Sequence, residues 1–371
     1  MSWEWVDSNA GLAEAIAHLS GAEVVAVDTE FRRRDTYFPQ VALVQLASTE
    51  RCFLIDPLCI DDPSPLRQLL LDPTTIKLLH SPSEDLEVFE FWLGALPTPL
   101  FDSQRAAAML GMGFGLGYRG LVEALLGVSL DKEETQSDWL QRPLSEAQCH
   151  YAAQDVTYLM QCWPLIKAQA EQSNCFSWVL EDGSFMATGG RGPLAKFKSA
   201  GRLAPVQLAT LAALVDWREQ EARERDKPRS WILADKVVQT LAMKRPRNRH
   251  QLAATENMPA GVVRRSGDEL LAMIAAASED PDWAVPPALP PASAAVRNLA
   301  KYLSGEIESL ASTMGMSPEV LMPSREVELL AREQCGEVVE SPRHWQGWRG
   351  KTVLSPLRAL AETWRAQHEA G

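Results

Sequence analysis

The residues with the clearest capacity for chemistry are acids that fall in pairs or at helix starts. Val24-Val25-Ala26-Val27 is an apolar run that leads into Asp28-Thr29-Glu30-Phe31. A run so rich in valine reads as a buried strand. Side chains two apart on a strand share a face, so Asp28 and Glu30 project together from its carboxyl end. Two acids aimed at one point make a metal seat, although Asp-x-Glu is also an ordinary surface turn in acidic chains. A second strand, Thr75 to Leu79, delivers the chain to His80-Ser81-Pro82-Ser83-Glu84-Asp85. Ser81 and Glu84 have capping-box spacing and Pro82 takes the favoured first helical position, so a helix should start there. Asp85 then lies in its opening turns, where the helix dipole favours an ionised carboxylate. Glu84, Asp85, Glu87 and Glu90 equally describe a solvated helix face. His80 reads as a packed or capping residue.

A last acid sits in Ser145-Glu146-Ala147-Gln148-Cys149-His150-Tyr151-Ala152-Ala153-Gln154-Asp155. Ser145 and Gln148 repeat the capping-box spacing, which starts a helix at about residue 146. At 3.6 residues per turn, Tyr151 and Asp155 are about 40° apart on one helix face and act as a pair. A buried Tyr bonded to a helix-face Asp is also a common structural arrangement. Asp102 most simply caps a helix over 105–110, with a supporting hydrogen bond to the site as the functional alternative. Gly111, Gly113, Gly115 and Gly117 lack both a following Gly-Lys-Ser/Thr and a strand feeding into them, so they read as a loop rather than a phosphate cradle.

Around these residues the first half alternates strand and helix signals. Leu12 to Leu19 and Leu66 to Leu71 read as helices; Glu23 to Asp28, Val41 to Ala47, Cys52 to Ile55 and Thr75 to Leu79 read as strands. A mixed sheet with packed helices follows. Beyond about residue 165 the pattern is helical, with a basic, acid-free stretch at 187–202, a helical region at 204–277 carrying Leu208, Leu211, Ala212 and Val215 on one stripe, and a Pro-rich linker at 284–294.

Composition narrows the setting. No apolar run among the 371 residues approaches the roughly 18 needed to cross a membrane. The first ten residues lack the apolar core of a secretory signal, so a cytoplasmic address is expected. The six cysteines are scattered without Cys-x-x-Cys spacing and suggest neither disulfides nor zinc. The net charge of −13 is unevenly spread: residues 1–160 hold 24 acids and 10 bases, and the remainder is close to neutral. An acidic domain can meet phosphates if cations neutralise its site and basic segments elsewhere hold the backbone.

Taken together, Asp-Thr-Glu-Phe at 28–31, Ser-Glu-Asp-Leu-Glu-Val-Phe at 83–89 and Tyr-Ala-Ala-Gln-Asp-Val-Thr-Tyr-Leu at 151–159 resemble, in order and spacing, the three motifs of the DEDDy 3′-to-5′ exonucleases, most closely the ribonuclease D family. Residues 34–40 and 137–144 are also similar to that family, and 204–283 resembles its helical HRDC domain. The resemblance implies a ribonuclease H-like α/β exonuclease domain at 1–170, a basic connection at 171–203, an HRDC domain at 204–283, the linker at 284–294, and a second HRDC-like helical domain at 295–371. It implies metal binding by Asp28, Glu30, Asp85 and Asp155, with Tyr151 as the subclass-defining tyrosine. All-oxygen ligation favours two Mg²⁺ or Mn²⁺ ions, which would activate water for in-line attack and yield nucleoside 5′-monophosphates. Tyr151, with an ordinary pKa of about 10, suits orienting the water rather than deprotonating it.

Phe31, Tyr37 and Trp139 are candidates to stack on terminal bases, and Arg142 and Arg32–Arg34 to touch phosphate, against the alternative that the aromatics are core and the arginines an exposed turn. The implied partner is RNA, especially tRNA precursors or other structured RNA 3′ ends, and no membrane; protein partners are left open. A DNA-directed exonuclease and a non-catalytic RNA-binding adaptor are the alternatives, and the intact acid set argues against the second.

Overall fold

The computed structural model describes residues 2–130, 137–186, 192–197, 200–279 and 289–368. They fall into two compact units, one of Met1–Arg32, Gln40–Gly189 and Ser293–Gly371, the other of Arg33–Pro39 and Gly190–Ala292.

The first unit begins with β1 (Trp3–Val6), α1 (Asn9–Leu19), β2 (Val24–Arg32), β3 (Gln40–Ala47), β4 (Cys52–Ile55), α2 (Ser64–Leu71), β5 (Ile76–Leu79), α3 (Ser83–Leu93), β6 (Leu100–Asp102), α4 (Ser103–Met109), α5 (Tyr118–Leu126), α6 (Glu146–Gln172) and α7 (Phe176–Met186). The six strands form one mixed sheet in the order β1-β4-β3-β2-β5-β6, with β3 antiparallel to both its neighbours and the other pairings parallel. Strand alternation divides the work of β2. Val25 and Val27 join Val44, Leu46, Phe53 and Ile55 in a core with Leu12, Leu19, Leu66, Leu70 and Phe89 of α1–α3. Residues 26, 28 and 30 take the opposite face, which α6 covers.

The expected strands and helices are present, with ends that agree within three residues, except that β2 runs four residues past Asp28. Two short strands add to them, β1 and β6, each too brief to show an alternation in sequence. The capping box of Ser145 and Gln148 forms as expected. The one at Ser81 does not. Helix α3 starts at Ser83 without a side-chain cap, because Ser81 has φ +56° and its N–H is donated to Asp102 Oδ1 at 3.0 Å. Asp102 also caps α4, accepting from Gln104 N at 2.9 Å.

Part of the stretch expected as a connection is helix α7, which lies against β6. Gly183 permits that approach: a Cβ there would sit 2.1 Å from the Leu100 carbonyl oxygen. Residues 284–288 of the expected linker at 284–294 lie outside the described residues, and the expected basic stretch at 187–202 lies partly outside them.

In the second unit, α8 (Pro205–Glu224), α9 (Arg229–Ile232), α10 (Asp235–Lys244), α11 (Arg249–Ala253) and α12 (Ala260–Glu279) surround Leu211, Leu214, Trp217, Leu241, Leu270 and Ile274. Tyr37 belongs to this core. It is 6% exposed, and its hydroxyl meets Glu219 and accepts from Arg229 Nη2 at 3.0 Å. That burial removes Tyr37 as a stacking platform. Arg229 is occupied by Glu219 and Tyr37, whereas Trp231 is exposed with the Lys227 ammonium 5.8 Å from its ring centre.

The chain then returns to the first unit as α13 (Ala294–Met314), α14 (Pro318–Leu321), α15 (Ser324–Gln334) and α16 (Ser355–His368). A buried ion pair fastens this return to α7. Arg349 Nη2 reaches Asp182 Oδ2 at 2.8 Å and the carbonyl oxygen of Val320 at 2.7 Å. Trp348 Nε1 donates to Asp182 Oδ1 at 3.0 Å, and Arg105 Nε lies 3.2 Å from Oδ2. The Trp348 ring stacks on Trp178, with centroids 4.4 Å apart. Removing one partner of a buried pair strands the other charge, at a cost of about 3–5 kcal/mol. Asp182→Ala should therefore lower the unfolding free energy obtained from urea denaturation of the full chain by about 3–5 kcal/mol, whereas a change within about 0.5 kcal/mol, ordinary for a surface site, would contradict this account.

Candidate active site and metal centre

The cleft forms where β5 stops and β2 continues. The last pair between them is Ala26 with Leu78, yet β2 runs on to Arg32, leaving the edge carrying residues 28–30 open on that side. Crevices outside the carboxyl ends of strands are the usual ligand sites of α/β sheets. A change of register between Glu30 and Phe31, where β3 contributes an extra residue, bends the ladder beside the acids.

The resulting cleft has a volume of about 630 Å³ and is lined by Asp28, Thr29, Glu30, Phe31, His80, Asp85, Tyr118, Arg119, Tyr151 and Asp155, among others. Asp28, Glu30 and Asp155 each offer a carboxylate oxygen within 4.8 Å of the others. Asp85 enters from the α3 side and is held separately: Thr29 Oγ1 donates to its Oδ1 at 2.5 Å. Alternation explains this, because Thr29 shares the face of Val25 and Val27 while its neighbours face α6. Tyr151 stands one helical turn before Asp155 on α6, as the spacing requires.

Four acids in one partly desolvated cleft oppose one another's ionisation. Asp28 is raised well above the usual range by burial and then by Asp85, Asp155 and Glu30. Burial, with Asp155 and Asp85, pushes Glu30 from 4.5 to about 9. Asp155 rises to about 7 by burial and Asp85; Asp85 rises to about 6 by burial, offset in part by its bond from Thr29. The Tyr151 phenol is pushed upward by burial and by Asp155, Glu30 and Asp28, so it remains a hydrogen-bond donor at neutral pH. This donor set suits hard divalent cations: it is all oxygen, it is gathered, and its accumulated charge asks for neutralisation.

A 3′-5′ exonuclease family model matches residues 3–171, and an HRDC domain model matches residues 207–274. Ribonuclease D of Pseudomonas paraeruginosa is 40% identical over 368 residues, covering 96% of this chain and 98% of its own length. Ribonuclease D of Escherichia coli is 34% identical over 372 residues, covering 98% and 99%. The chain belongs to the ribonuclease D family. The crystal structure of E. coli RNase D, described as an exoribonuclease involved in structured RNA processing, superposes with a TM-score of 0.88 at 33% identity over 98% of this chain and all of that one. The chain is thus a 3′-to-5′ exoribonuclease with an α/β exonuclease domain followed by a helical HRDC domain.

Of the expected substrate contacts, only Phe31 lines the cleft. Trp139 is 5% exposed and packs with its ring centroid 6.0 Å from that of Tyr151, so it backs the tyrosine. Arg142 is a clamp. Its Nε and Nη2 each reach an Asp56 oxygen at 2.6 Å, and it also donates to the Ala42 and Trp139 carbonyls. Arg32 holds Gln40 Oε1 at 2.9 Å. Bidentate pairing to a buried acid is a structural use of arginine that no linear spacing reveals.

Three cleft residues escaped the sequence reading as functional groups: Thr29, Tyr118 and Arg119. Tyr118 donates to the Gln154 carbonyl at 2.8 Å. Thr29 was legible only as the residue between two acids. His80 is neutral, its pKa lowered to about 4 by burial, with Nδ1 2.9 Å from Ser103 Oγ, which itself donates to Leu79 O.

A carboxyl group whose pKa is raised on folding adds stability below its unfolded pKa and loses it as pH climbs through the folded value. For Glu30 this places the loss between about pH 4.5 and 9, with Asp85 and Asp155 adding to it near 6 and 7. The metal-free protein should therefore melt at a higher temperature as Asp28→Asn than as wild type at pH 8, and Mg²⁺ or Mn²⁺ should stabilise wild type more than the variant. Thermal melts across pH 5–9 with and without metal would show this; identical profiles for the two proteins would count against the electrostatic account.

Proposed function

We propose that this protein removes nucleotides from RNA 3′ ends as nucleoside 5′-monophosphates, with Asp28, Glu30, Asp85 and Asp155 holding two divalent ions, Mg²⁺ or Mn²⁺. The observation that carries the reading is the convergence of these four carboxylates and Tyr151 in one cleft. Cations bound there would neutralise the carboxylates, lower the pKa of water and stabilise charge on the leaving oxygen. The chain's own contribution is positional. Tyr151, kept protonated, donates a hydrogen bond that orients the attacking water, while Phe31 offers an apolar face to the terminal nucleoside. The water oxygen bonds to the last phosphorus as the bond from phosphorus to the preceding O3′ breaks, leaving a new 3′ hydroxyl on the shortened RNA.

Family membership supports precursors with structured 3′ ends, tRNA precursors in particular, as substrates, and a cytoplasmic address. No helix among the described residues is long and apolar enough to cross a membrane. The domain reading that accompanies this function places the exonuclease at 1–170, the HRDC domain at 204–283 and a second HRDC-like unit at 295–371.

The test is stepwise shortening of a 5′-labelled RNA and its matched DNA with Mg²⁺, Mn²⁺ or EDTA. The expected result is metal-dependent release of 5′-monophosphates from RNA, abolished by Asp28→Asn and by Asp155→Asn. Tyr151→Phe should lower kcat by about 100-fold with little change in KM. Undiminished turnover in the two Asp variants would remove the site; preference for DNA would change the substrate.

A further inference from the structure

A second, smaller hollow adjoins the cleft, with a volume of about 230 Å³. The two share Ser81, which stands on the boundary between them. Its position is fixed: with φ +56°, its N–H is donated to Asp102 Oδ1, the oxygen that also receives the Gln104 N–H. Beside the hollow lies the loop between α4 and α5, the glycine-rich segment that carries no phosphate-loop signature. Phe114 is 55% exposed there, between Gly113 at φ +113° and Gly115 at φ +70°. Those backbone angles favour glycine on both sides, so the loop is shaped to hold an aromatic ring outward. A single exposed Phe is ordinary on a protein surface. Its seat at the wall of a hollow that continues the catalytic cleft is not accounted for by packing.

We propose that this hollow binds the base of the penultimate nucleotide of the RNA, with Phe114 as its stacking face. The inference rests on the reading of the larger cleft as the seat of the 3′-terminal nucleotide. An RNA whose last phosphodiester lies at the carboxylates must leave the cleft as an unpaired strand, and its next base loses its stacking partner on the way. An aromatic face replaces that partner without regard to sequence, which an enzyme that removes every nucleotide in turn requires. The polar lining fits the rest of a nucleotide. Gln104 Nε2 is committed to the Leu116 carbonyl at 3.1 Å, leaving Oε1 as an acceptor for an exocyclic amine. Arg105 is part-exposed and bonded to Asp182 through Nε, and its guanidinium supplies positive charge for the connecting phosphate. Asp102 cannot take that part, since it is buried and engaged by two backbone N–H groups.

Two substrates separate the hollow from the cleft. The p-nitrophenyl ester of uridine 5′-monophosphate reaches only the cleft, whereas a single-stranded oligoribonucleotide reaches both. Phe114→Ala should lower the ratio of kcat/KM for RNA to that for the ester by about tenfold, and Phe114→Trp should restore it. In parallel, RNA with 2-aminopurine at the penultimate position should change its fluorescence on binding to Asp28→Asn, and that change should be lost in Asp28→Asn/Phe114→Ala. An unchanged ratio with an unchanged signal would overturn the proposal, as would an equal fall for both substrates that Trp does not rescue. If Asp28→Asn hydrolyses both substrates as fast as wild type, the cleft reading itself fails and the hollow loses its role with it.

Discussion

The structure depends on holding four carboxylates against their mutual repulsion. Nothing about Asp28, Glu30, Asp85 and Asp155 draws them together; each is displaced toward its neutral form by burial, and Asp28, Glu30 and Asp155 also by neighbouring acids of the set. Their convergence is imposed by the scaffold. Two of them ride on a central strand with partners on both sides, one on a 27-residue helix with a complete capping box, and one on a helix start tied to that strand through Thr29. Rigid elements are what this constraint calls for, because a loop would relax the charges apart. Stability withheld at the cleft is supplied by the apolar cluster on the far side of the sheet, where Val25 and Val27 pack in the same strand that carries the acids.

Much of this was legible in the chain because it depends on short-range rules. The alternation of residues 24–31 announced both the strand and the shared face of Asp28 and Glu30, and the four-residue spacing of Tyr151 and Asp155 announced their shared helix face. What sequence could not supply was the set of contacts made across long separations. Ser81 looked like a helix cap until Asp102, 21 residues later, claimed its N–H and turned its backbone left-handed. Arg142 looked free to meet phosphate, yet it is clamped to Asp56, 86 residues away, and Trp139 became the backing of Tyr151. Tyr37 is drawn into the core of the second unit by Glu219 and Arg229. In each case an ordinary local signal was overridden by a partner outside its own segment of chain.

The acid cleft also shows why neighbouring groups are kept chemically quiet. His80 borders the cleft, and it is held neutral with its Nδ1 turned to Ser103. A second basic group competing for protons beside four raised carboxylates would blur their titration; burial removes it from that competition. Tyr151 is likewise pushed away from ionisation. His80, Tyr118 and Tyr151 thus offer shape and hydrogen bonds without charge, while Arg119 brings a positive charge to the lining.

The buried pair of Asp182 and Arg349 sets a timetable as well as a contact. Its partners are 167 residues apart, with the whole helical second unit between them in the chain. At translation speeds of about 5–20 residues per second, the carboxylate on α7 waits roughly ten to thirty seconds for its guanidinium to emerge. The exonuclease sheet, whose last strand ends at Asp102, is fully synthesised before that interval begins, but Asp182 must remain hydrated or rely on Arg105 alone until it ends. A stretch made after the whole second unit is therefore the one that seals the domain made before it.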